Sequence, residues 1–466
     1  MAGTGVRRRL LVIGLDGVPP EFLFDRMRPV MPTTARLLDR SLRAPLRTTD
    51  PPLSIPAWPV MFSGVDPGTL GFYGFRHRKD HSYTETYVPT STQMPVPSVW
   101  QTVSSAGRRV AVIGMPMGYP PPIVNGLFVS DFLTPPGSRP FTSPPELGGE
   151  LEAKYGPYPF DVVFRSNERE RLLGEILRMT ETRFRIAADL VAREPWDLFG
   201  VHEIGSDRLN HAYWKCFDDR HPDFVPGNPH AGAARKFYEV LDRGIAGLLG
   251  AAGPEAAVLI VSDHGSMAMR GCFCINQWLA EKGYLVLRSP PAPGTPLEKA
   301  DVDWDRTTVW GSGGYYARIF FNIRGREARG IVALDQVPAL RRHLEDDLQR
   351  IPAPDGEMLD VDLLDPASLY HEVRGDAPDL MLYFGDLKWR SAGTMGYPSL
   401  FLRENDTGPD DAVHSWNGVF VWYDPEREGP AGELPTQQIR DVAPTILEYL
   451  GVPLPAHLQG RPIVRS

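Results

Sequence analysis

Short apolar runs without polar alternation are the feature that most limits how this chain can fold. Four such runs cover residues 10–15, 110–114, 198–201 and 258–262. Runs of this kind are typical of strands that are buried on both faces of a parallel sheet. Amphipathic helical patterns lie between them, the longest at 168–192 and 231–249. The alternation predicts an α/β fold with a doubly wound, mostly parallel sheet flanked by helices.

The region 290–375 has a different pattern. It begins with a proline-rich stretch, continues with β-like sequence at 307–323, and then has the periodicity of a helix at 337–348. We interpret 290–375 as a smaller α+β cap subdomain, and 1–289 with 376–466 as the core domain. The glycine-rich segment 311–314 (GSGG) lacks the lysine that follows a phosphate-binding loop, so we predict a turn there.

Three further segments complete the expected core. Residues 119–165 are rich in proline and glycine and are predicted to form an irregular insertion. The apolar runs 379–384 and 418–422 are predicted to be strands that return to the core sheet. Residues 437–450 are predicted to form a helix that ends at a glycine and a proline.

Composition and charge exclude several classes of protein. The net charge is −9 and the densest basic cluster is only Arg7–Arg9, whereas a protein that binds a nucleic-acid polymer needs a long basic surface. Three cysteines, including the pair Cys272 and Cys274, are too few for a disulfide framework. No segment approaches the ~20 apolar residues of a membrane span. We therefore expect a soluble cytoplasmic protein that binds no membrane.

Acidic residues stand where three of the predicted strands end. Asp16 follows the first run, Asp207 lies after the 198–201 run, and Asp263-His264 follows the 258–262 run. The carboxyl ends of parallel strands meet at one edge of the sheet, which is where open α/β sheets bind their ligands. Each residue alone could simply cap a turn, but together they predict a site with three carboxylates.

Three more residues have positions that suit such a site. Asp207 and His211 are four residues apart and would share one helix face, where they could bind one metal ion or merely contact each other on a solvated turn. Ser54 precedes Pro56 and is predicted to lie at the amino end of a short helix, where a phosphate is favoured, unless it is only an N-cap. His414, in a polar loop, is uninformative by itself.

These residues lie in motifs that resemble the alkaline phosphatase superfamily. The motifs are GLDG (Asp16), PPLSIPAW (Ser54), SDRLNH (Asp207, His211), SDHG (Asp263, His264) and VHSWNG (His414). Within the superfamily the chain is most similar to the type I phosphodiesterase/nucleotide pyrophosphatase type, in its branch of predicted phosphohydrolases and phosphomutases. Further motifs in the usual order extend the resemblance over nearly the whole chain.

The resemblance implies two divalent metal ions, zinc in the phosphodiesterase branch and manganese in the mutase branch. Asp207, His211 and His414 would bind one ion. Asp16, Asp263 and His264 would bind the other, with Ser54 beside it as both ligand and nucleophile. Ser54 would attack phosphorus, and water would then hydrolyse the phosphoserine. Two departures from the family blur the subclass: phosphodiesterases commonly have threonine at the Ser54 position, and Leu70-Gly71 stands where relatives often have His-Gly.

The expected function is therefore two-metal hydrolysis of a small-molecule phosphate ester, with a nucleotide-like substrate as one option. Phosphomonoesterase, phosphomutase and phosphonate hydrolase are the alternatives on the same site, and a non-enzymatic binding protein is the third class. Residues near the motifs that could contact the substrate are Trp58, Tyr73, Arg208 and Trp214. For any one of them, core packing or a surface position is the more ordinary explanation.

Overall fold

A ten-stranded sheet forms the centre of the structure, a computed structural model that describes residues 8–427 and 429–464. From edge to edge its strands are Gly432–Glu433, Leu42–Arg47, Asn417–Tyr423, Ala257–Val261, Leu10–Leu15, Leu198–Glu203, Val110–Ile113, Gly126–Val129 and Thr142–Ser143, with Gln437–Gln438 also paired to Leu42–Arg47. The five strands from Ala257–Val261 to Gly126–Val129 are parallel. Asn417–Tyr423 is antiparallel to both its neighbours. The predicted doubly wound, mostly parallel sheet is confirmed.

Helices cover both faces of this sheet, because its central strands bury side chains on both. Along Leu10–Leu15, Leu11 and Ile13 pack into one apolar cluster, and Leu10 and Val12 pack into another. The first cluster includes the helices Pro32–Leu38, Glu146–Tyr155, Arg169–Arg193, Gly205–Phe217 and Ala233–Ala252. The second includes Ser54–Ser63, Val99–Ser105 and Val442–Tyr449. The molecule therefore has three layers, helix on sheet on helix.

A second sheet of seven strands has its own apolar cluster. Its strands are Val309–Ser312, Ala317–Phe321, Leu380–Phe384, Trp389–Ser391, Gly271–Phe273 and Phe401–Leu402, with Val361–Leu364 paired to Leu380–Phe384. The helices Ile275–Glu281 and Val337–Leu348 pack in the same cluster. The expected β character at 307–323 and the helix at 337–348 are confirmed.

One strand prediction, one prediction of irregular structure and one helix prediction need correction. The run 379–384 does not return to the core sheet, since Leu380–Phe384 pairs with Ala317–Phe321 in the second sheet. Within 119–165, Gly126–Val129 is a core strand, parallel to Val110–Ile113. The helix predicted at 437–450 is regular only over Val442–Tyr449. For the run 379–384, the apolar sequence indicated burial but not the partner strand.

Shorter elements fill the connections. They are the helices Pro67–Leu70 and Pro366–Leu369 and the strand pairs His77–Arg78 with Thr86–Tyr87, Gly265–Ala268 with Ala412–Ser415, and Thr295–Pro296 with Thr394–Met395. The second sheet takes strands from both sides of 290–375, so the proposed division into core and cap follows the sheets only in part. The first and last residues of the predicted core domain, and Arg7 of the basic cluster, lie outside the described residues. No helix in the described part of the chain is both long and apolar enough to cross a bilayer.

Two glycines in one helix offer a test of the packing that holds the helical layer. A methyl group at Gly244 would lie 2.6 Å from Cγ of Phe184, on the adjacent Arg169–Arg193 helix, whereas one at Gly247 would meet no atom within 4 Å. We expect Gly244→Ala to lower the free energy of unfolding by about 1–3 kcal/mol through overpacking. The matched control Gly247→Ala should raise it by about 0.5–1 kcal/mol, because alanine favours the helix. Urea denaturation measures both, and equal effects would contradict the close approach.

Candidate active site

Three buried carboxylates meet at the carboxyl edge of the central sheet. Asp16 directly follows the strand Leu10–Leu15, and Asp263 lies two residues beyond the end of the adjacent parallel strand Ala257–Val261. Asp207 lies in the first turn of the Gly205–Phe217 helix, which follows the parallel strand Leu198–Glu203. The Asp16 amide donates to the Glu203 carbonyl (3.0 Å), so Asp16 continues the pairing of its strand. The strand-end argument thus placed these residues together correctly.

A hairpin brings His414 to the same edge. The strands Gly265–Ala268 and Ala412–Ser415 pair antiparallel, with Ser266 opposite His414. The imidazole of His414 consequently stacks on that of His264, with 3.6 Å between the ring centroids. A residue 150 positions away along the chain therefore lies beside the Asp263-His264 pair.

Asp207, His211 and His414 form one group of potential metal ligands. Asp207 Oδ1 lies 3.2 Å from His211 Nε2 and 3.8 Å from His414 Nε2. The other ring nitrogens are already engaged: His211 Nδ1 is 2.7 Å from Asp410 Oδ1, and His414 Nδ1 is 2.7 Å from the Pro52 carbonyl oxygen. This arrangement leaves both Nε2 atoms facing the carboxylate, as in histidines that bind metal.

Asp16, Asp263 and His264 form the second group. His264 Nε2 lies 3.2 Å from Asp263 Oδ2 and 3.7 Å from Asp16 Oδ1. His264 Nδ1 is 2.9 Å from the Gly265 carbonyl oxygen, and the Gly17 amide donates to Asp263 Oδ1 (3.2 Å). Both groups have the membership that the family resemblance implied.

Two oxygens in these groups lack hydrogen bonds although they are buried: Asp207 Oδ1 and Asp263 Oδ2. Leaving a buried polar atom unpaired costs about 1–3 kcal/mol, and more when it is charged. Each oxygen lies near an imidazole Nε2 without hydrogen-bond geometry, which is expected when both atoms point at a common third partner. Carboxylate oxygens and imidazole nitrogens are donors that suit zinc or manganese. The residues present therefore fit a divalent cation in each group.

Burial and mutual charge shift the pKa values of the carboxyl and imidazole groups in this site. Burial, reinforced by the negative charge of Asp207, raises the pKa of Asp16 to about 7. Burial and the charge of Asp16 raise the pKa of Asp263 well above its usual range. Burial lowers the pKa of His264 and of His414, so both imidazoles are neutral. Without cations, Asp16 and Asp263 therefore hold protons more readily than ordinary carboxyl groups, while His264 and His414 keep free Nε2 lone pairs.

Ser54 lies at the amino end of its helix, as predicted. Ile55 has non-helical backbone angles, regular helix follows from Pro56, and Gly64 ends the helix in the left-handed conformation (φ 71°). The expected roles of Pro56 and Gly64 are therefore confirmed.

The Ser54 hydroxyl faces the second group. Its Oγ donates to Asp16 Oδ1 (3.3 Å) and lies 3.3 Å from His264 Nε2. The opposite oxygen, Asp16 Oδ2, accepts a hydrogen bond from Trp58 Nε1 (2.9 Å) and lies 2.9 Å from His202 Nε2. Asp16 is thus fixed from behind, with one oxygen left for Ser54 and a cation.

Three of the four predicted substrate contacts need correction. Trp58, Tyr73 and Trp214 are enclosed in the core with at most 1% of their surface exposed. Trp58 orients Asp16, the Tyr73 hydroxyl donates to a backbone carbonyl, and Trp214 stacks on Phe22 with 5.0 Å between ring centroids. Large aromatic side chains near a site are more often packing than binding surface. Arg208 is also buried, and its guanidinium is paired with two carboxylates.

Sequence reasoning missed three residues that hold the site: His202, which contacts Asp16; Asp410, which contacts His211; and Tyr315, whose hydroxyl lies 3.1 Å from His211 Nε2. His202 gave a weak signal as a polar residue at the end of an apolar run. Asp410 and Tyr315 gave none, because their proximity depends on how separate loops meet.

The fold is shared with other solved structures. Phosphonoacetate hydrolase from Sinorhizobium meliloti 1021 has a TM-score of 0.61 in complex with phosphonoformate and 0.62 with phosphonoacetate, at 16% identity over 96% of both chains. Human ectonucleotide pyrophosphatase/phosphodiesterase 5 has a TM-score of 0.56 at 11% identity, over 98% of this chain and 97% of that one. The chain thus shares its overall fold with these proteins.

The sequence identifies the family. The family model for type I phosphodiesterase/nucleotide pyrophosphatase matches residues 10–416, and the chain belongs to this family. It is accordingly a hydrolase of phosphate esters. Comparison with curated proteins found no significant match.

The raised pKa of Asp16 predicts that metal binding releases protons. At pH 6.5 much of this carboxyl group is protonated in the metal-free protein, and a cation must displace that proton. Affinity in the Asp16 group should therefore rise up to about tenfold per pH unit for each proton released, between pH 6 and 7. Calorimetric titration with zinc in two buffers of different ionisation enthalpy measures the release.

Asp16→Asn is the matched variant for this titration, since it keeps the shape of the side chain but has no acidic proton. It should release fewer protons than the wild type at pH 6.5. Identical heats in the two buffers for the wild-type protein would contradict a protonated Asp16.

Proposed function

We propose that this protein is a two-metal-dependent hydrolase of phosphodiesters or nucleotide pyrophosphates that works through a phosphoserine on Ser54. The observation that carries the proposal is the position of Ser54 Oγ, 3.3 Å from both Asp16 Oδ1 and His264 Nε2, members of one potential metal group. The substrate is a small-molecule phosphate ester, nucleotide-like in the favoured form. We propose zinc as the metal, with manganese as the alternative.

The charges favour a bound phosphate. Three carboxylates against two divalent cations, with neutral His264 and His414, leave the pocket net positive. The cations, when bound, would lower the pKa of the Ser54 hydroxyl and stabilise the attacking and departing oxygens. The amino end of the Ser54–Ser63 helix adds a further partial positive charge.

The residues of the two groups and Ser54 have separate roles in the proposed reaction. Asp16 accepts the hydrogen bond from Ser54 and so orients the hydroxyl for attack on phosphorus. The bond from Ser54 Oγ to phosphorus forms as the bond to the leaving-group oxygen breaks on the opposite side, toward Asp207, His211 and His414. Water then attacks the phosphoserine from that side, which releases phosphate and restores Ser54. Two displacements give overall retention at phosphorus.

Phosphomonoesterase, phosphomutase and phosphonate hydrolase activities remain the alternatives on the same site. Serine in place of the threonine common in phosphodiesterases, and the fold shared with a phosphonoacetate hydrolase, support including them. A non-enzymatic role is disfavoured because all seven site residues are present. We place the protein in the reducing cytosol, consistent with three buried free cysteines.

Ser54→Ala should abolish turnover while both metal ions stay bound. Loss of the nucleophile should lower kcat by at least about 10³-fold, because no other hydroxyl replaces it. The matched control is Ser63→Ala at the far end of the same helix, where the buried hydroxyl has no hydrogen-bond partner. Kinetics together with elemental analysis of metal content measure both effects, and normal turnover in Ser54→Ala would exclude the phosphoserine.

Diesters should be better substrates than monoesters. The guanidinium of Arg208 is paired with Asp161 (2.7 Å) and Asp207 (2.7 Å), so it is not free to bind the second negative charge of a monoester. We expect kcat/KM for bis(p-nitrophenyl) phosphate to exceed that for p-nitrophenyl phosphate by at least about tenfold on zinc-loaded protein. The reverse ratio would favour a phosphatase, and phosphonoacetate cleavage would favour the phosphonate alternative.

A further inference from the structure

Tyr315 reaches the site from the second sheet, in the turn between Val309–Ser312 and Ala317–Phe321. The turn is fixed against the Trp389–Ser391 strand, since Gly314 and Ser391 exchange two backbone hydrogen bonds (2.7 and 3.0 Å). At Gly313 a methyl group would lie 2.3 Å from the Gly393 amide nitrogen, so the two backbones approach too closely for any side chain there. The GSGG motif therefore holds the Tyr315 backbone in one place.

The side chain of Tyr315 is held as firmly. Its ring lies over the His414 imidazole, with 3.9 Å between centroids, and Arg390 Cζ lies 4.0 Å from the ring centroid. Arg390 donates to Asp410 (2.6 Å), whose other oxygen contacts His211. Contacts thus run from the Tyr315 ring through Arg390 and Asp410 to His211. The Tyr315 hydroxyl also contacts His211 directly, 3.1 Å from its Nε2.

The position of this hydroxyl is what points to a role in the reaction. The hydroxyl contacts His211 Nε2, the nitrogen that faces Asp207 in the first metal group. A bound cation would take that lone pair, and the hydroxyl would then need another acceptor at the same spot. Tyr315 contacts His211 and His414, whereas Ser54 contacts Asp16 and His264. The hydroxyl therefore lies on the side of the site away from the nucleophile.

We propose that the Tyr315 hydroxyl donates a hydrogen bond to the leaving-group oxygen of the phosphate ester. No proton is transferred in this step: the bond strengthens as negative charge develops on that oxygen while its bond to phosphorus breaks. The inference rests on the proposed function of Ser54. It makes Tyr315 a further catalytic residue, and Arg390 the positioning residue that holds its ring.

The discriminating variant is Tyr315→Phe, which removes the hydroxyl and keeps the ring on His414 and Arg390. The matched control is Tyr316→Phe, since the neighbouring hydroxyl donates to the Tyr73 carbonyl oxygen (2.5 Å) and not to the metal groups. Both are compared with wild-type protein loaded with zinc, using phenyl and p-nitrophenyl esters of the same phosphate. Phenol is the poorer leaving group, so its oxygen depends more on a hydrogen-bond donor.

We expect Tyr315→Phe to lower kcat/KM for the phenyl ester about 10- to 100-fold, and for the p-nitrophenyl ester several-fold less. Tyr316→Phe should change the two esters equally. Zinc content should stay at two ions per chain in both variants. An equal loss on both esters in Tyr315→Phe, or no loss, would overturn the proposal, because a merely structural tyrosine has no preference for the poorer leaving group.

Inorganic phosphate provides a readout that does not depend on turnover. One phosphate oxygen occupies the leaving-group position, so calorimetry on zinc-loaded protein should show weaker phosphate binding to Tyr315→Phe than to wild type and Tyr316→Phe. If the wild type cleaved no phosphate ester, the proposed function would be wrong, and this titration alone would decide whether Tyr315 contacts a phosphate oxygen. Equal phosphate affinity in all three proteins would exclude that contact.

Discussion

Mutual repulsion among three buried carboxylates is the constraint on which this structure depends. Asp16, Asp207 and Asp263 are almost fully removed from water at one edge of the sheet, and burial and proximity raise the pKa of two of them. A low-dielectric pocket tolerates such a cluster only if protons or cations neutralise it. The imidazoles of His211, His264 and His414, each held through Nδ1, present Nε2 to the same points. The site therefore has two groups of donors that could each hold a metal ion.

The residues around this cluster oppose any rearrangement of it. Asp16 is held by Trp58 and His202, and Asp410, behind His211, is clamped by Arg165 (3.1 Å) and Arg390 (2.6 Å). The two arginines come from different regions of the chain: Arg165 ends the segment 119–165, and Arg390 lies in the strand Trp389–Ser391 of the second sheet. Burial would raise the pKa of Asp410, but His211 and Arg390 bring it down to about 2. Residues outside the central sheet thus fix Asp410 and, through it, the potential metal ligand His211.

Fold prediction succeeded for strands that a local sequence pattern specifies, and it failed where the sheet to which a strand belongs depends on a distant partner strand. The apolar runs at 10–15 and 258–262 specify buried parallel strands, because few other structures shield such runs on both faces. The runs at 126–129 and 380–384 are equally apolar, yet the first lies among prolines and the second belongs to the other sheet. Burial is encoded by composition, while the choice of sheet depends on pairing with residues far along the chain.

The sequence by itself determined which acidic residues stand near the strand ends: Asp16, Asp207 and Asp263 follow buried strands, and parallel strands bring their carboxyl ends to one edge. Only the tertiary structure decided that His414 stacks on His264, that Trp58 supports Asp16 instead of facing solvent, and that Tyr315 reaches His211 from the second sheet. The physical reason is the separation along the chain of the residues that interact. Strand-end positions follow from the local periodicity of the backbone, whereas these contacts form only when segments 42 to 150 residues apart are brought together by packing.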